Sequence, residues 1–348
     1  MIQSALAVVV SVVLVGMGAM GCSAVKLRTQ QMPIPRRPVS TYSVVARDPA
    51  TGNFGVAVQS HWFSVGSVVP WAEAGVGAVA TQSLVNVTYG PLGLELMRGG
   101  RTAPEALKAL IETDDGADVR QVAMIDAHGN VATHTGKHCI AMASDHNGTT
   151  SDGMVYSCQS NLMLKGTVAD AMARALETSS GKPFADRLID ALRAAQGEGG
   201  DIRGRQSAAI VIVKGESSGR PWDDEVVRLH VHDHPTPLVE LQRLLTLHNA
   251  YEHMNEGDLA IEHKDTPRAL REYGAAMKMA PEVHEMVFWT AVSLVSAGEV
   301  DKAIPLLARA YTDPNADWRE TLRRLPASEL LPDDPKLIER LATIPAER

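Results

Sequence analysis

Aromatic residues are scarce in this chain: Phe, Tyr and Trp together make up 4% of 348 residues. A core built on large rings is therefore excluded, and Val, Ala, Leu and Met must carry the burial. Cysteine is scarcer still, with three in all, at positions 22, 139 and 158, which excludes a disulfide-dense scaffold. Basic charge is not in excess. The formal net charge of −8 and a pI near 5.8 argue against a nucleic-acid partner. No GxGxxG pattern or P-loop follows any strand-like run, so no nucleotide site is expected, and nothing else implies a cofactor. Lysine is missing from the whole stretch between Lys26 and Lys108. What remains is ordinary globular composition, 45% hydrophobic and 21% charged, in a chain long enough for two or three domains.

One long apolar run stands apart. Residues 2–21 carry no charge and lead into Ala19-Met20-Gly21-Cys22-Ser23. Small residues directly before a cysteine resemble the lipobox of bacterial lipoproteins, where the thiol takes up diacylglycerol and becomes the mature N-terminus. Residues 1–22 then read as an export signal, Cys22 as the lipidation site, and the protein as anchored to a membrane on its exported side, periplasmic or cell-surface. A run of about twenty apolar residues is also long enough to span a bilayer. In that alternative Lys26, Arg28, Arg36 and Arg37, which follow the run, place the bulk of the chain in the cytoplasm. Cys139 and Cys158 are left either as a disulfide or as two buried thiols, and the sequence leaves the choice open.

Residues 23–40 read as a tether, since Pro33, Pro35 and Pro38 with Arg36 and Arg37 prevent regular structure. From Thr41 the pattern changes to strands. Thr41–Asp48 and Phe54–Ser60 flank a Pro/Thr/Gly/Asn turn and predict a hairpin. Further extended segments are expected at 67–71, 75–81, 121–125, 131–135, 153–158, 206–213 and 226–231. The turn at 126–130 makes a second hairpin. Helices are expected at 90–97, from Thr102 with Glu105 completing a capping box, at 167–177 and at 183–195. Hairpins interleaved with helical pairs predict stacked antiparallel sheets with helices outside, an α+β arrangement rather than a parallel βαβ sheet.

From residue 237 to 348 the composition turns helical. Ala269, Tyr273 and Ala276 recur as Ala303, Leu307 and Ala310 at a constant spacing of 34, and Gly257 and Ala291 keep the same register. That is the tetratricopeptide period, in which small residues let paired helices touch. Helices at 238–247 and 337–341 are expected to cap the two units. A small all-α helical-repeat domain of this kind would bind a partner.

The run STYSVVARDPATGNFGVAVQSHWFSVGSVVPWAEAGVGAVATQ, followed in order by NVTYGPLGLELMRGG, VAMIDAHGNVATHTG, CQSNLML and GGDIRGRQSAAIVIV ahead of HVHDHPTP, resembles the bacterial family called domain of unknown function 1028. The likeness covers residues 40 to about 245. It implies an N-terminal-nucleophile (Ntn)-hydrolase-like fold, a four-layer αββα sandwich over residues 41–236, and brings no established reaction with it. The tail, roughly 238–341, resembles the domain, regarded as peptidoglycan-binding, that is often fused to this family.

Thr41 aligns with the residue that follows the initiator Met in typical members. In Ntn hydrolases such a residue is itself the catalyst: its side-chain oxygen attacks, and its own free amine is the base. Here forty residues precede it, so Ser40–Thr41 must first be cut, which would also sever a lipidated Cys22. The alternative is a β-branched residue that simply starts a strand. Gln82, Asn86 and Tyr89 before a helix, and Gln159, Ser160 and Asn161 after a strand, are candidates for oxyanion donors or for binding a substrate amide. Their other reading is the satisfaction of loop backbone. Asp201, Arg203, Arg205, Gln206 and Ser207 sit where a Gly-rich loop meets a core strand. There an arginine could clamp a carboxylate or simply pair with Asp201. His230, His232 and His234 alternate along one strand end and could share a face, but the exposed exit at Asp233-His234-Pro235 argues against a metal site. His61, just after the first hairpin, could face the same cleft as Thr41. Two functions follow: an exported hydrolase of a small amide or peptide, or a non-catalytic lipoprotein that binds a small amide, peptide or peptidoglycan fragment, with the tail contacting peptidoglycan or a partner protein.

Overall fold

Alternation of apolar residues with period two decides where each strand's side chains go. In β1 (Thr41–Arg47), Tyr42, Val44 and Ala46 face one core while Val45 faces another. In β2 (Phe54–Ser60), Ala57 takes the first face, and Val56 and Val58 the second. The most apolar strand, β9 (Ser207–Val213), divides in the same way: Ala208, Ile210 and Ile212 on one side, Ala209, Val211 and Val213 on the other. A strand apolar on both faces has to be covered on both, so the sheet must lie between two other layers.

A computed structural model, which describes residues 38–347, shows those layers. The remaining strands are β3 (Pro70–Glu73), β4 (Gly77–Ser83), β5 (Arg120–Asp126), β6 (Val131–Thr135), β7 (Ser144–Thr149), β8 (Val155–Ser160) and β10 (Glu225–Val231). They form a six-stranded sheet in the order β10-β9-β2-β1-β8-β7 and a four-stranded sheet in the order β3-β4-β5-β6. Every neighbouring pair is antiparallel. Val45, Val56, Val58 and Val211 of the larger sheet meet Ala78, Ala80, Ala123 and Ile125 of the smaller one in the central core.

Outside the smaller sheet lie α1 (Tyr89–Arg98) and α2 (Ala103–Thr113), packed on Val79, Val122 and Met124. Outside the larger sheet lie α3 (Val168–Glu177) and α4 (Phe184–Gly197), packed on Tyr42, Val44, Tyr156 and Ile210. The layers are therefore α, β, β, α, as expected. The capping box of α2 is present in full, Thr102 accepting from the Glu105 amide and Glu105 accepting from the Thr102 amide.

Strand β7 was not anticipated. Its residues, Ser-Asp-His-Asn-Gly-Thr, are polar throughout, and it forms an edge of the six-stranded sheet held by its ladder to β8.

The helical tail begins with α5 (Pro237–Glu262), continuous over 26 residues. Its first turns put Leu238, Leu241 and Leu245 into the core beneath the larger sheet, while Ala250, Met254 and Ala260 belong to the tail. Then follow α6 (Thr266–Met279), α7 (His284–Ser296), α8 (Val300–Ala310), α9 (Trp318–Arg324) and α10 (Pro335–Ala342). The residues spaced by 34 are buried in both copies, and Gly257 lies so close to the Tyr273 ring that a Cβ there would come within 2.3 Å of it. Among the described residues no helix is long and apolar enough to cross a membrane. Residues 1–22, with the lipidation site Cys22, and residues 23–37 of the tether lie outside the described residues.

Candidate site at the start of the first strand

Because β1 is central in its sheet, its first residue enters the fold already buried. Thr41 is fully buried, and its hydroxyl lies 2.8 Å from the Val39 carbonyl and 3.1 Å from Ser60 Oγ, with Ser60 opposite it on β2. Ser60 Oγ in turn donates to the Ser40 carbonyl oxygen at 2.5 Å. That carbonyl belongs to the peptide bond joining Ser40 to Thr41.

A second donor reaches the same oxygen. Arg203 Nη2 lies 2.7 Å from it, and Arg203 Nη1 lies 3.1 Å from the Pro38 carbonyl. The guanidinium is aimed by Asp201, whose carboxylate is completely buried and accepts from Arg203 Nε at 3.0 Å and Nη2 at 2.6 Å. Asp201 also accepts from the Arg203 and His61 amides, so the loop, the arginine and the end of β2 form one assembly. The internal pair is thus the arrangement present: it fixes the loop, and it also holds the guanidinium against two backbone carbonyls. Nearby, burial and then the Asp201 charge push the Tyr42 hydroxyl well above its ordinary pKa, so it stays neutral and donates to Gln196.

Beneath Thr41 runs a ladder of amides between the sheets. Its carbonyl accepts from the Asn161 amide at 3.1 Å and from Gln82 Nε2 at 3.3 Å. Gln82 Oε1 accepts from Ser43 Oγ at 2.7 Å, and Gln159 Nε2 donates to Ser43 Oγ at 3.2 Å and to the Ala80 carbonyl at 3.1 Å. Gln121 Oε1 accepts from both Gln82 and Asn161. Gln121 escaped the sequence reading, although Gln82 and Gln121 pair across β4 and β5. Four side-chain atoms around this assembly, Ser40 Oγ, His61 Nδ1, Gln159 Oε1 and Asn161 Oδ1, are buried without a hydrogen-bond partner among the described residues. Such atoms are uncommon in folded proteins.

A cleft of about 600 Å³ opens beside the assembly, lined by Pro38, His61, Trp62, Phe63, Arg203 and Gln206. Phe63 is 65% exposed at its mouth.

The remaining candidates go elsewhere. Asn86 accepts from Thr88 ahead of α1, and Tyr89 donates to Asp114, so both serve the local loop rather than Thr41. Arg205 is exposed; the arginine that reaches the peptide bond is Arg203. Gln206 donates to Asp233, and Ser207 donates to the Trp62 carbonyl and accepts from the Val65 amide. Of the three histidines, His230 and His232 meet edge to face with ring centroids 5.8 Å apart, and His234 departs. β10 ends at Val231, His232 bonds Ser64, and His234 turns back to Thr236. Among the described residues no group of three His, Cys, Asp or Glu could hold a metal ion. Cys139 and Cys158 are both free: Cys139 donates to the Arg120 carbonyl, while Cys158 is buried in the helix-side core.

This sandwich, with its polar assembly at the head of β1, matches a family model described only as a family of unknown function, DUF1028, over residues 41–241. The chain belongs to that family. The match begins at Thr41 itself. A crystal structure of a Silicibacter pomeroyi protein described under DUF1028 superposes with a TM-score of 0.51 and 28% identity, covering 59% of this chain and 88% of that one. No curated protein matches the chain.

Proposed function

We propose that this DUF1028 protein is an exported amide-bond hydrolase of the Ntn type, whose nucleophile is the Thr41 hydroxyl once the Ser40–Thr41 bond has been cut. The observation that carries this reading is the pair of donors, Arg203 Nη2 and Ser60 Oγ, on the Ser40 carbonyl oxygen, beside a threonine hydroxyl that bonds the same Ser60. Preorganised donors on a carbonyl oxygen lower the cost of the negative charge that grows there when the carbon is attacked. Hydrolysis of the bond adds water across C–N, leaving a carboxylate on Ser40 and a free amine on Thr41. An ordinary α-amine has a pKa of about 7.7–8.0, so near neutral pH part of it is free base.

In the proposed cycle the hydroxyl oxygen attacks the substrate carbonyl and its proton passes to the amine. The substrate C–N bond breaks and the leaving nitrogen takes that proton, giving an ester on Thr41. Water then cleaves the ester and restores the hydroxyl. Gln82 and the Asn161 amide, both on the Thr41 carbonyl, hold the nucleophile's backbone in register. The substrate class is a small amide or peptide, entering from the cleft beside Arg203.

Cys22 lies ahead of the cut, so lipid anchoring and catalysis are successive states of the chain. The tail is proposed as a tetratricopeptide-like or peptidoglycan-binding module. Support comes from the burial, at a spacing of 34, of Ala269, Tyr273 and Ala276 with Ala303, Leu307 and Ala310. A second reading, a non-catalytic lipoprotein that binds a small amide or peptide, is favoured by the complete burial of Thr41 in the intact chain. Intact-mass measurement separates the two: active material should begin at Thr41. Full activity in a chain that still carries residues ahead of Thr41 overturns the hydrolase.

A further inference from the structure

The three residues ahead of Thr41 are gripped as a ligand is gripped. All three of their carbonyls accept hydrogen bonds: Pro38 from Arg203 Nη1, Val39 from the Ser83 amide at 3.0 Å and from Thr41 Oγ1, Ser40 from Arg203 Nη2 and Ser60 Oγ. The Val39 amide donates to the Ser83 carbonyl at 2.7 Å, so this short extended segment bridges to β4. The Val39 side chain is fully buried in the apolar core between the sheets. Ser40 is also fully buried, with its hydroxyl unpartnered, and Pro38 leads out into the cleft with His61, Trp62 and Phe63. Main-chain bonds supply affinity in this kind of strand addition, and side-chain pockets supply selectivity.

We propose that Pro38–Ser40 occupies the acyl-side subsite of the enzyme, and that the substrates are extended peptides whose attacked carbonyl belongs to a small residue preceded by a β-branched aliphatic one. The Ser40 carbonyl and the Thr41 hydroxyl share Ser60 Oγ as a hydrogen-bond partner, so the carbonyl marks where a substrate's acyl carbonyl would sit. Whatever grips residues 38–40 before the bond is cut is therefore available, once they leave, to grip the acyl part of a substrate. Arg203 would additionally meet the carboxylate of a bound product. This inference rests on the hydrolase reading for the word "substrate", but the subsite itself is a binding claim and can be tested as one.

The probe is a fluorescently labelled pentapeptide with the sequence of Arg36–Ser40 and a free carboxylate, followed by anisotropy. One receptor is the chain from Thr41 to Arg348, which keeps every strand and helix of the described residues and starts where the family match starts. The other is the full chain carrying Val39→Asp, whose own segment cannot stay in an apolar core. Either receptor should bind the peptide. The unaltered full chain, with its subsite filled, should not. A peptide with Asp at the valine position or Trp at the serine position should bind about tenfold or more weakly, as expected for losing a buried valine or overfilling a tight site.

Absence of binding to both receptors, or equal binding of the altered peptides, overturns the proposal. Hydrolysis is read separately, on the aminomethylcoumarin amide of the same peptide. Binding without cleavage sinks the hydrolase reading and leaves the subsite standing. Cleavage of other amides without binding of this peptide does the reverse.

Discussion

Two of the buried polar clusters at strand ends among the described residues differ in what their hydrogen bonds hold. Asp126, ending β5, accepts from the Ala103, His128 and Asn130 amides at 2.8–3.0 Å and from the Asn130 side chain, so its carboxylate ties a hairpin turn to the start of α2. Each of these bonds ties one stretch of backbone to another. The cluster at Thr41 is equally buried but contains partnerless atoms, a peptide carbonyl with two donors, and a cleft. Burial alone therefore does not separate structure from function; what sets the second cluster apart is that its donors converge on the carbonyl of a peptide bond next to a hydroxyl.

Substitutions should break this contrast in graded fashion. Thr41→Ala in the chain beginning at residue 41 should lower hydrolysis by roughly 10⁴-fold or more, as removal of a nucleophile does, with little change in denaturant midpoint. Arg203→Leu should act on both sides of the comparison. It should cost about 10²–10³-fold in turnover if its donors serve the developing charge, and it should lower stability by about 3 kcal/mol in urea unfolding because Asp201 is left buried and unpaired. Asp126→Ala should lower stability by about 2–3 kcal/mol while the folded fraction keeps its activity. An activity loss there would blur the distinction drawn above. Ser40→Ala removes a buried hydroxyl that has no partner, so the full chain should be unchanged or stabilised by up to about 1 kcal/mol.

A pH effect ranks last. Hydrogen bonds from Arg187 and Thr150 lower the Asp152 carboxyl to about 2. A depressed carboxylate stabilises the fold above its ordinary pKa, and the contribution disappears as pH falls through the folded value. Stability should therefore drop between about pH 4 and pH 2, and Asp152→Asn should flatten that limb of a thermal-melt series.

Much of the fold could be read directly from residue patterns. The hairpins β1–β2 and β5–β6, the helices α1 to α4 and the Thr102–Glu105 box follow from periods and caps that act over a few residues. Strand β7 was invisible because a polar edge strand has no alternation to show; only its partner β8 makes it a strand. The sequence placed the start of the tail at residue 237, and α5 does begin there, yet its first leucines belong to the sandwich core, since a helix this long can bury different faces in two cores in turn. At the site, Thr41, Gln82, Gln159, Asn161 and Asp201 were recognised and do come together. Arg203 and Arg205 fit the sequence pattern equally, but the path of a glycine-rich loop decides which of two arginines two positions apart turns inward, and no period governs that.

What the amino-acid order determined by itself was local: which residues face a core, where helices start, and that a small hydroxyl residue heads the first strand. Only the tertiary structure decided that this hydroxyl would meet Ser60, that Arg203 would reach the Ser40 carbonyl beside it, and that the amide ladder would hold the Thr41 carbonyl. The physical reason is register: Ser43 and Gln159 touch across 116 positions of chain because β1 pairs with β8, and a one-residue slip would turn each of these side chains to the opposite face.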